Sequence, residues 1–420
     1  MPLPSRRQAI ACALALLPLA AGAQPAAGAP IRVALIESLS GSFANTGEAV
    51  FRNIVWAMER VNARGGVPLP GGARPLQLAR YDSKGTNEEA LSALRAAIDD
   101  GARFVLQGNS SATAAALIEA INKHNQREPG RRVVFLNYSA VDPALTNDKC
   151  SFWHFRWDAG SDIKMEALTN YMKGVPAIKK VYLINQDYSF GQSVRSDARK
   201  MLNAKRPDVE IVGDELHPLL KVTDFSPYIA KIKASGADSV VTGNWGQDFA
   251  LLLKAAADAG LKVNWYTYYA GGAGGPTAIK QTGLDHQVFQ ISEGIPNSGN
   301  QSAMDFEKAF RAKANMSLWY PRAVNQMRMF KAAAEKANSI DPVKVAAALE
   351  GMEFDVLDGG KGTMRKDDHQ FFQPIYISSF GSRNDKEPFD EENTGWGWRP
   401  VSKIDTAQTT VPTTCKMKRP

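Results

Sequence analysis

A short polar turn between a predicted strand and a predicted helix carries the clearest chemistry in the sequence. Residues 104–106 are apolar and strand-like, whereas residues 112–121 have helical spacing. The amino end of a helix offers unpaired backbone N–H groups and a partial positive charge, and both favour an anion. The turn adds the hydroxyl groups of Ser110, Ser111 and Thr113. The pattern predicts a carboxylate-binding turn, with helix capping by Ser110 or Ser111 as the alternative.

Strand-like and helix-like segments alternate through the first part of the chain. Such alternation predicts a parallel sheet flanked by helices. In these sheets ligands bind beyond the carboxyl ends of the strands, where the polar turn and the loops 37–46 and 138–142 would lie. The predicted strands are 31–36, 76–81, 104–106 and 133–137, and the predicted helices are 47–63, 88–99 and the one that follows the turn.

A second alternation begins after residue 160 and predicts a second α/β lobe, as expected for a chain too long for one hydrophobic core. A strand at 288–291 is followed by helices, which indicates that the chain crosses back to the first lobe. The tail from residue 388 is rich in Trp, Pro and Thr and has the composition of a strap. The predicted strands of the second lobe are 181–185, 209–212, 239–242 and 264–268, its helices are 191–202, 225–234 and 249–259, and the later helices are 303–313, 322–337 and 342–349.

The amino terminus has the pattern of a cleaved secretory signal. Arg6 and Arg7 precede an apolar run that ends in the small residues 21–23. The run is short for a membrane span and contains Pro18, so a transmembrane anchor is the less favoured alternative. We predict a signal peptide at residues 1–23 and a mature protein in the periplasm, exported by the Sec route or, less favoured, by the twin-arginine route.

Charge and cysteine content narrow the class of protein further. Loss of Arg6 and Arg7 with the signal lowers the formal net charge from +7 to +5, and basic residues elsewhere are mixed with acidic ones, so no nucleic-acid partner is expected. Only Cys150 and Cys415 remain in the mature chain. In an oxidising compartment two cysteines favour a disulfide bond, so we predict that these two are joined. No His or Cys lies near either at ligand spacing, and no metal site is expected.

At this point the sequence resembles the leucine/isoleucine/valine-binding protein family, the periplasmic substrate-binding components of importers for hydrophobic amino acids. The resemblance covers about residues 31–385, and it rests on eight short segments in the same order and at similar spacing. The segments are Ser40-Gly41 with Gly47, residues 62–67, Tyr81-Asp82, residues 108–113, residues 142–146, residues 187–191, residues 223–226 and residues 259–261.

The resemblance implies the periplasmic binding protein type I fold, in which two Rossmann-like α/β lobes are joined by a three-segment hinge and close on a ligand like a Venus flytrap. This hinge closure is a stock example of a conformational switch. The domains implied are residues 31–156 plus 292–370 for lobe 1, residues 157–291 plus 371–390 for lobe 2, and residues 391–420 for the carboxy-terminal strap.

The resemblance also implies a set of ligand-binding residues. In lobe 1 Ser110 and Thr113 fall where the family binds the ligand carboxylate, and Ser139, Ala140 and Val141 line the next loop. The hydroxyl of Ser111 in the same turn completes the predicted set. In lobe 2 two aromatic residues fall on family positions and a third lies nearby; packing of the lobe itself is the alternative role for the aromatic residues. The lobe 2 residues are Phe190, Trp245 and Tyr188.

One departure from the family bears on the ligand. The amino-acid binders of the family present an acidic group to the ligand ammonium from the loop that here reads residues 268–273, and this loop contains no Asp or Glu. An unpaired buried ammonium is costly, so either Asp187 or Asp248 substitutes or the ligand lacks an α-ammonium. Phe190 and Trp245 would suit a flat ring. A branched-chain amino acid and an aromatic or other organic acid therefore both remain open.

Two other function classes compete with a transport carrier. No complete catalytic, phosphate-binding or dinucleotide-binding motif is present, so we expect neither an enzyme nor a bound cofactor. The same fold also serves as the ligand-binding part of sensors, and this remains the alternative. We expect a monomer whose partners are the small carboxylate ligand and an ABC permease in the inner membrane.

Overall fold

The computed structural model describes residues 28–272 and 274–420. The predicted signal peptide at residues 1–23 lies outside the described residues. Within the described part of the chain, no helix has both the length and the hydropathy needed to cross a membrane.

The first lobe is built on a five-stranded parallel sheet in the order β2-β1-β3-β4-β5. The interior strands are buried along their length, which explains their continuous apolar sequences. Thr86 caps the second helix by accepting a hydrogen bond from the backbone N–H of Glu89. The strands are β1 (Ile31–Glu37), β2 (Leu76–Asp82), β3 (Phe104–Gln107), β4 (Val134–Asn137) and β5 (His154–Arg156), and the helices are α1 (Ala44–Asn62), α2 (Asn87–Asp99) and α3 (Ser111–Arg127).

The chain then enters the second lobe, whose sheet has seven strands in the order β15-β14-β10-β9-β8-β6-β7. Five of these strands are mutually parallel, as the alternating sequence predicts. The elements on this first pass are α4 (Ser161–Met172), β6 (Lys180–Gln186), α5 (Ser189–Lys205), β7 (Glu210–His217), α6 (Ser226–Ser235), β8 (Ser239–Trp245), α7 (Gly246–Asp258), β9 (Asn264–Tyr269), α8 (Gly275–Thr282) and β10 (Val288–Ser292).

After β10 the chain returns to the first lobe. The Phe330 ring packs edge-on against the Phe104 ring of β3, with centroids 4.6 Å apart, and the backbone N–H of Tyr320 donates to Asn53 Oδ1 of α1. The elements of this return are α9 (Gln301–Ala314), α10 (Pro321–Ala337), α11 (Pro342–Leu349), and the strands β11 (Glu353–Asp355), β12 (Lys361–Met364) and β13 (Phe371–Phe372) of a small antiparallel sheet. The small sheet was not predicted.

The chain crosses once more to the second lobe, where β14 (Ile375–Ser382) and β15 (Trp396–Ile404) complete the large sheet. Strand β14 runs antiparallel to β10, and β15 runs antiparallel to β14. The predicted α/β architecture of two lobes joined by three chain crossings is confirmed. The stretch 391–420, predicted as a strap, is a strand of this sheet over part of its length.

The rest of the tail lies across both lobes. The carbonyl of Gln408 accepts a hydrogen bond from Asn170 of α4, and the Thr413 hydroxyl donates to the carbonyl of Thr146 in the first lobe. The predicted disulfide bond between Cys150 and Cys415 is confirmed, with an S–S distance of 2.04 Å. The tail therefore forms a fourth covalent connection between the lobes, beside the three chain crossings.

Candidate functional site

A cavity of about 100 Å³ lies between the two lobes, at the carboxyl ends of the strands of both sheets. Its lobe 1 wall comes from the turn after β3, the loop after β4 and the segment before α10. Its lobe 2 wall comes from the segments after β6, β8, β9 and β10. Of the nine residues predicted to bind ligand, the cavity is lined by Ser111, Ser139, Val141, Tyr188, Phe190 and Trp245, whereas Ser110, Thr113 and Ala140 are not among its lining residues.

The three hydroxyl groups of the turn have different roles. Ser110 Oγ caps α3 by accepting from the backbone N–H of Thr113 at 3.2 Å, and Thr113 Oγ1 donates to Asn87 Oδ1 at 2.9 Å. Ser111 Oγ accepts from the backbone N–H of Asp142 at 3.2 Å, and its own proton has no acceptor among the described residues. Ser111 therefore has a hydroxyl donor that remains available to a ligand.

A buried carboxylate, Glu37 at the end of β1, holds the turn in place. Its Oε1 accepts from the backbone N–H groups of Gly108 at 2.8 Å and Asn109 at 2.9 Å, and also from the Tyr138 hydroxyl. Burial raises the pKa of Glu37, and these hydrogen bonds partly offset that shift. The sequence reasoning missed this residue because it ends an apolar strand, and its partners in the turn and at Tyr138 lie at least 71 positions away.

Replacing Glu37 with glutamine should lower the free energy of unfolding by about 2 kcal/mol, the usual scale for hydrogen bonds to a charged group. Oε2 of Glu37 accepts from the backbone N–H of Ser38. A glutamine amide nitrogen in that position would bring two N–H donors together without an acceptor. Guanidinium denaturation at pH 7 measures the change. The half-exposed Glu48 on α1 provides the matched control, Glu48→Gln, and an equal loss in both variants would contradict this role for Glu37.

The loop after β4 contributes Ser139 and Val141 to the cavity wall. The backbone N–H groups of Ser139 and Ala140 both donate to Asn137 Oδ1, at 3.0 and 2.7 Å, which fixes the course of the loop. Ala140 is 2% exposed and packs in the interior of the protein without lining the cavity. Ser139 Oγ is hydrogen-bonded to Arg322 Nη2 at 2.9 Å and to Asp158 Oδ2 at 3.2 Å.

The lobe 2 wall is aromatic. Trp245 Nε1 donates to the Tyr188 hydroxyl at 2.8 Å, and the Tyr188 and Phe190 rings meet edge to face at 5.9 Å. Trp245 also reaches across the interlobe gap, where its ring centroid is 5.7 Å from that of Phe43 in the first lobe. Sequence reasoning missed further aromatic residues that line the cavity, namely Tyr268, Tyr269, Trp319, Tyr320 and Trp398.

Trp319 of the first lobe packs directly on the loop that lacks the family's acidic residue. Its indole Nε1 donates to the carbonyl oxygen of Gly271. The ring lies directly against Gly272, and a Cβ atom added there would overlap it, so a side chain on Gly272 is excluded while the ring is in place. The indole ring therefore occupies the space that a side chain on this loop would need.

Neither acidic residue proposed as a substitute lines the cavity. Asp248 Oδ2 accepts from Gln186 Nε2 and from the backbone N–H of Leu220, both at 2.8 Å. Asp187 is exposed, and its Oδ1 accepts from Gln192 Nε2. Among the described lining residues the one carboxyl group belongs to Glu391, whose pKa burial raises to about 8.

Four buried ionisable side chains meet where the chain crosses between the lobes. Lys164 Nζ lies 2.7 Å from Asp158 Oδ1 and 3.2 Å from Glu293 Oε1. Arg322 Nε lies 3.1 Å from Asp158 Oδ2, and Arg322 Nη1 lies 3.5 Å from Glu293 Oε2. We refer to these four residues as the hinge quartet. No sequence pattern predicts the hinge quartet, because its members are far apart in the chain.

The periplasmic binding protein family model matches residues 30–385. A Leu/Ile/Val-binding protein homolog 4 of Brucella abortus is 32% identical, with 98% of this chain and 97% of that protein covered. A crystal structure of a leucine-, isoleucine-, valine-, threonine- and alanine-binding protein from Brucella ovis, in the closed conformation, is 31% identical with a TM-score of 0.83, and 93% of this chain and 100% of that chain are covered.

More distant structures share the fold. A solute-binding protein of an ABC transporter from R. palustris, solved in complex with benzoate, is 16% identical with a TM-score of 0.75, and 92% of this chain and 99% of that chain are covered. The matched family model spans most of the described residues, and both Brucella proteins exceed 30% identity over nearly the whole chain. The chain belongs to the periplasmic binding protein family.

Proposed function

We propose that this protein is a periplasmic solute-binding protein, without enzymatic activity, that captures a small carboxylate between its lobes and delivers it to an ABC permease in the inner membrane. The ligand is a hydrophobic amino acid or an aromatic or other organic acid. This proposal agrees with the names of the Brucella relatives and with the benzoate held by the R. palustris protein. Residues 1–23 act as the export signal.

The observation that carries the proposal is the cavity between the lobes. It combines a hydroxyl donor at the amino end of a helix with a wall of aromatic rings from the opposite lobe. A carboxylate bound at Ser111 would receive hydrogen bonds from the hydroxyl and from the first backbone N–H groups of α3, each worth about 1.5 to 3 kcal/mol. The aromatic wall would cover the apolar part of the ligand.

Closure follows from the position of these groups on separate lobes. The first lobe binds the carboxylate, and the second lobe adds Tyr188, Phe190 and Trp245 only when the lobes approach each other. A ligand that makes these extra contacts shifts the equilibrium toward the closed arrangement, which the permease then recognises.

A thermal-shift screen of the mature protein against amino acids, aromatic acids and aliphatic acids tests the proposal, with calorimetry on the compounds that raise the melting temperature. We expect at least one carboxylate to bind and its amide or ester analogue to bind far more weakly. A screen in which no carboxylate raises the melting temperature would argue against the function.

The division of roles within the turn gives a sharper test. Ser111→Ala should weaken ligand binding about tenfold, since it removes a donor to a charged group worth about 1.5 kcal/mol. Ser110→Ala should instead lower stability by about 1 kcal/mol through loss of the helix cap, with a smaller effect on affinity. Calorimetry and guanidinium denaturation of both variants separate the two effects. Equal affinity of Ser111→Ala and the wild type would exclude Ser111 as an anchor.

A further inference from the structure

The hinge end of the cavity is lined by positive charge. Lys164 and Arg322 line the cavity, whereas their partners Asp158 and Glu293 do not. Both basic side chains are almost fully buried, at 1% and 4% exposure. The two basic side chains of the hinge quartet therefore line the cavity, whereas its two carboxyl groups do not.

The Arg322 guanidinium has more N–H donors than it has hydrogen-bond acceptors around it. Its Nε donates to the Tyr138 carbonyl at 2.6 Å, its Nη2 donates to Ser139 Oγ at 2.9 Å, and its Nη1 reaches Glu293 Oε2 at 3.5 Å. A guanidinium carries five N–H groups. Two of them thus have no acceptor among the described residues, although buried N–H groups in proteins are normally paired.

This wall lies close to the anion position at Ser111. Ser111 Oγ accepts from the backbone N–H of Asp142, and Arg322 Nη2 donates to Ser139 Oγ in the same loop. Asp142 lies three positions after Ser139 in the chain, and three positions span at most about 10 Å. The two groups of donors are therefore within reach of one small molecule.

We propose that Arg322, Lys164 and Ser139 form a second anion-binding position, and that the ligand is a short organic diacid with one carboxylate at Ser111 and the other at the hinge. This inference rests on the proposed function, since it names the chemical class of the ligand for the same cavity. Arg322 acts here as a ligand-binding residue that determines specificity.

The charges around the quartet support this position. Burial favours the neutral form of Asp158, but Arg322 and Lys164 outweigh burial and hold the pKa of this carboxyl below its usual range. Burial, together with the neighbouring Asp158 charge, raises the pKa of Glu293 to about 7. Near neutral pH Glu293 is thus only partly ionised, so the quartet holds less negative charge than two full carboxylates would supply, and this favours an added anion beside Arg322. The Tyr269 hydroxyl, which donates to Asp158, is neutral because burial raises its pKa.

The cavity offers little to an ammonium group. Glu391, its one lining carboxyl among the described residues, lies beside the Arg311 guanidinium and accepts from the Ser317 hydroxyl. An α-amino acid would bring its cation into a cavity whose hinge wall is already cationic. A second carboxylate suits that wall better.

Calorimetry on wild-type protein with matched pairs of compounds tests the inference without any substitution. The pairs are hexanoate with adipate, and benzoate with benzene-1,4-dicarboxylate, and leucine serves as the amino acid. We expect the better diacid to bind at least about tenfold more tightly than its monoacid partner and than leucine. Tighter binding of a monoacid or of leucine would contradict the assignment of a diacid as the ligand, but it would leave the proposed solute-binding function unchanged. Binding of none of the five would overturn both.

A conservative substitution then tests Arg322 itself. Arg322→Lys keeps the positive charge beside Asp158 but loses the fork of donors, so the affinity for the diacid should fall about tenfold and that for the monoacid should change little. Arg328→Lys on the same helix, where the side chain lies over the Phe354 ring, is the control. Melting curves establish that each variant is folded. An equal loss for diacid and monoacid, or a loss in the control, would contradict the assignment.

Discussion

Replacing Gly272 with alanine is expected to lower the affinity for ligand about 100-fold, a loss of about 2.7 kcal/mol in binding free energy. The added Cβ would collide with the Trp319 ring, so the loop or the ring must move. Movement of the ring breaks the hydrogen bond from Trp319 to the Gly271 carbonyl. The lobes would then meet without their full contact, and ligand would no longer favour the closed arrangement as strongly.

Calorimetry with the best ligand of the screen measures this effect, and small-angle X-ray scattering reports whether the ligand still compacts the protein. Gly130→Ala is the matched control, because a Cβ there meets no atom within 4 Å. The double variant Gly272→Ala/Trp319→Ala should recover part of the affinity, since removal of the ring restores space. An unchanged affinity in the single variant would show that closure does not depend on this contact.

Removal of the disulfide bond by the double substitution Cys150→Ser/Cys415→Ser is expected to lower the free energy of unfolding by about 3 kcal/mol. The two residues are separated by 265 positions, so the bond closes a very long loop and restricts the unfolded chain. It also fixes the tail to the first lobe beside the hydrogen bonds of Thr413 and Thr414. Guanidinium denaturation of the oxidised wild type and of the double variant measures the difference.

A reducing agent provides the control for this second prediction. It should lower the midpoint of the wild type to that of the double variant and leave the variant unchanged. Titration of the unreduced mature protein should find no thiol. Two reactive thiols, or a midpoint insensitive to both treatments, would contradict a stabilising role for the bond.

The sequence was sufficient for the architecture because alternation of strands and helices is a local property. The buried strands β3 and β4 are continuous apolar runs between turns, and each lies where the apolar pattern places it. The late strands β11 to β15 were missed. They follow a run of helices, and β15 combines Gly, Pro and Lys with its Trp residues, a composition that does not suggest an edge strand.

The candidate site, like the fold, was only partly predictable from the sequence. The types of group were predictable, because a polar turn before a helix and aromatic residues after strands lie at the same edge of a sheet. The choice of Ser111 over Ser110 as the residue that lines the cavity depends on the first turn of α3, where one hydroxyl is used as a cap. Glu37, Trp319 and Arg322 depend on partners between 48 and 184 positions away, which no local pattern reveals.

The bond between Cys150 and Cys415 also closes a large covalent ring. Residues 150–415 contain the whole of the second lobe and the part of the first lobe that follows β10. Because these are the only two cysteines in residues 28–420, neither sulfur has a competing partner within that part of the chain. The ring can therefore form by a single pairing that needs no later rearrangement.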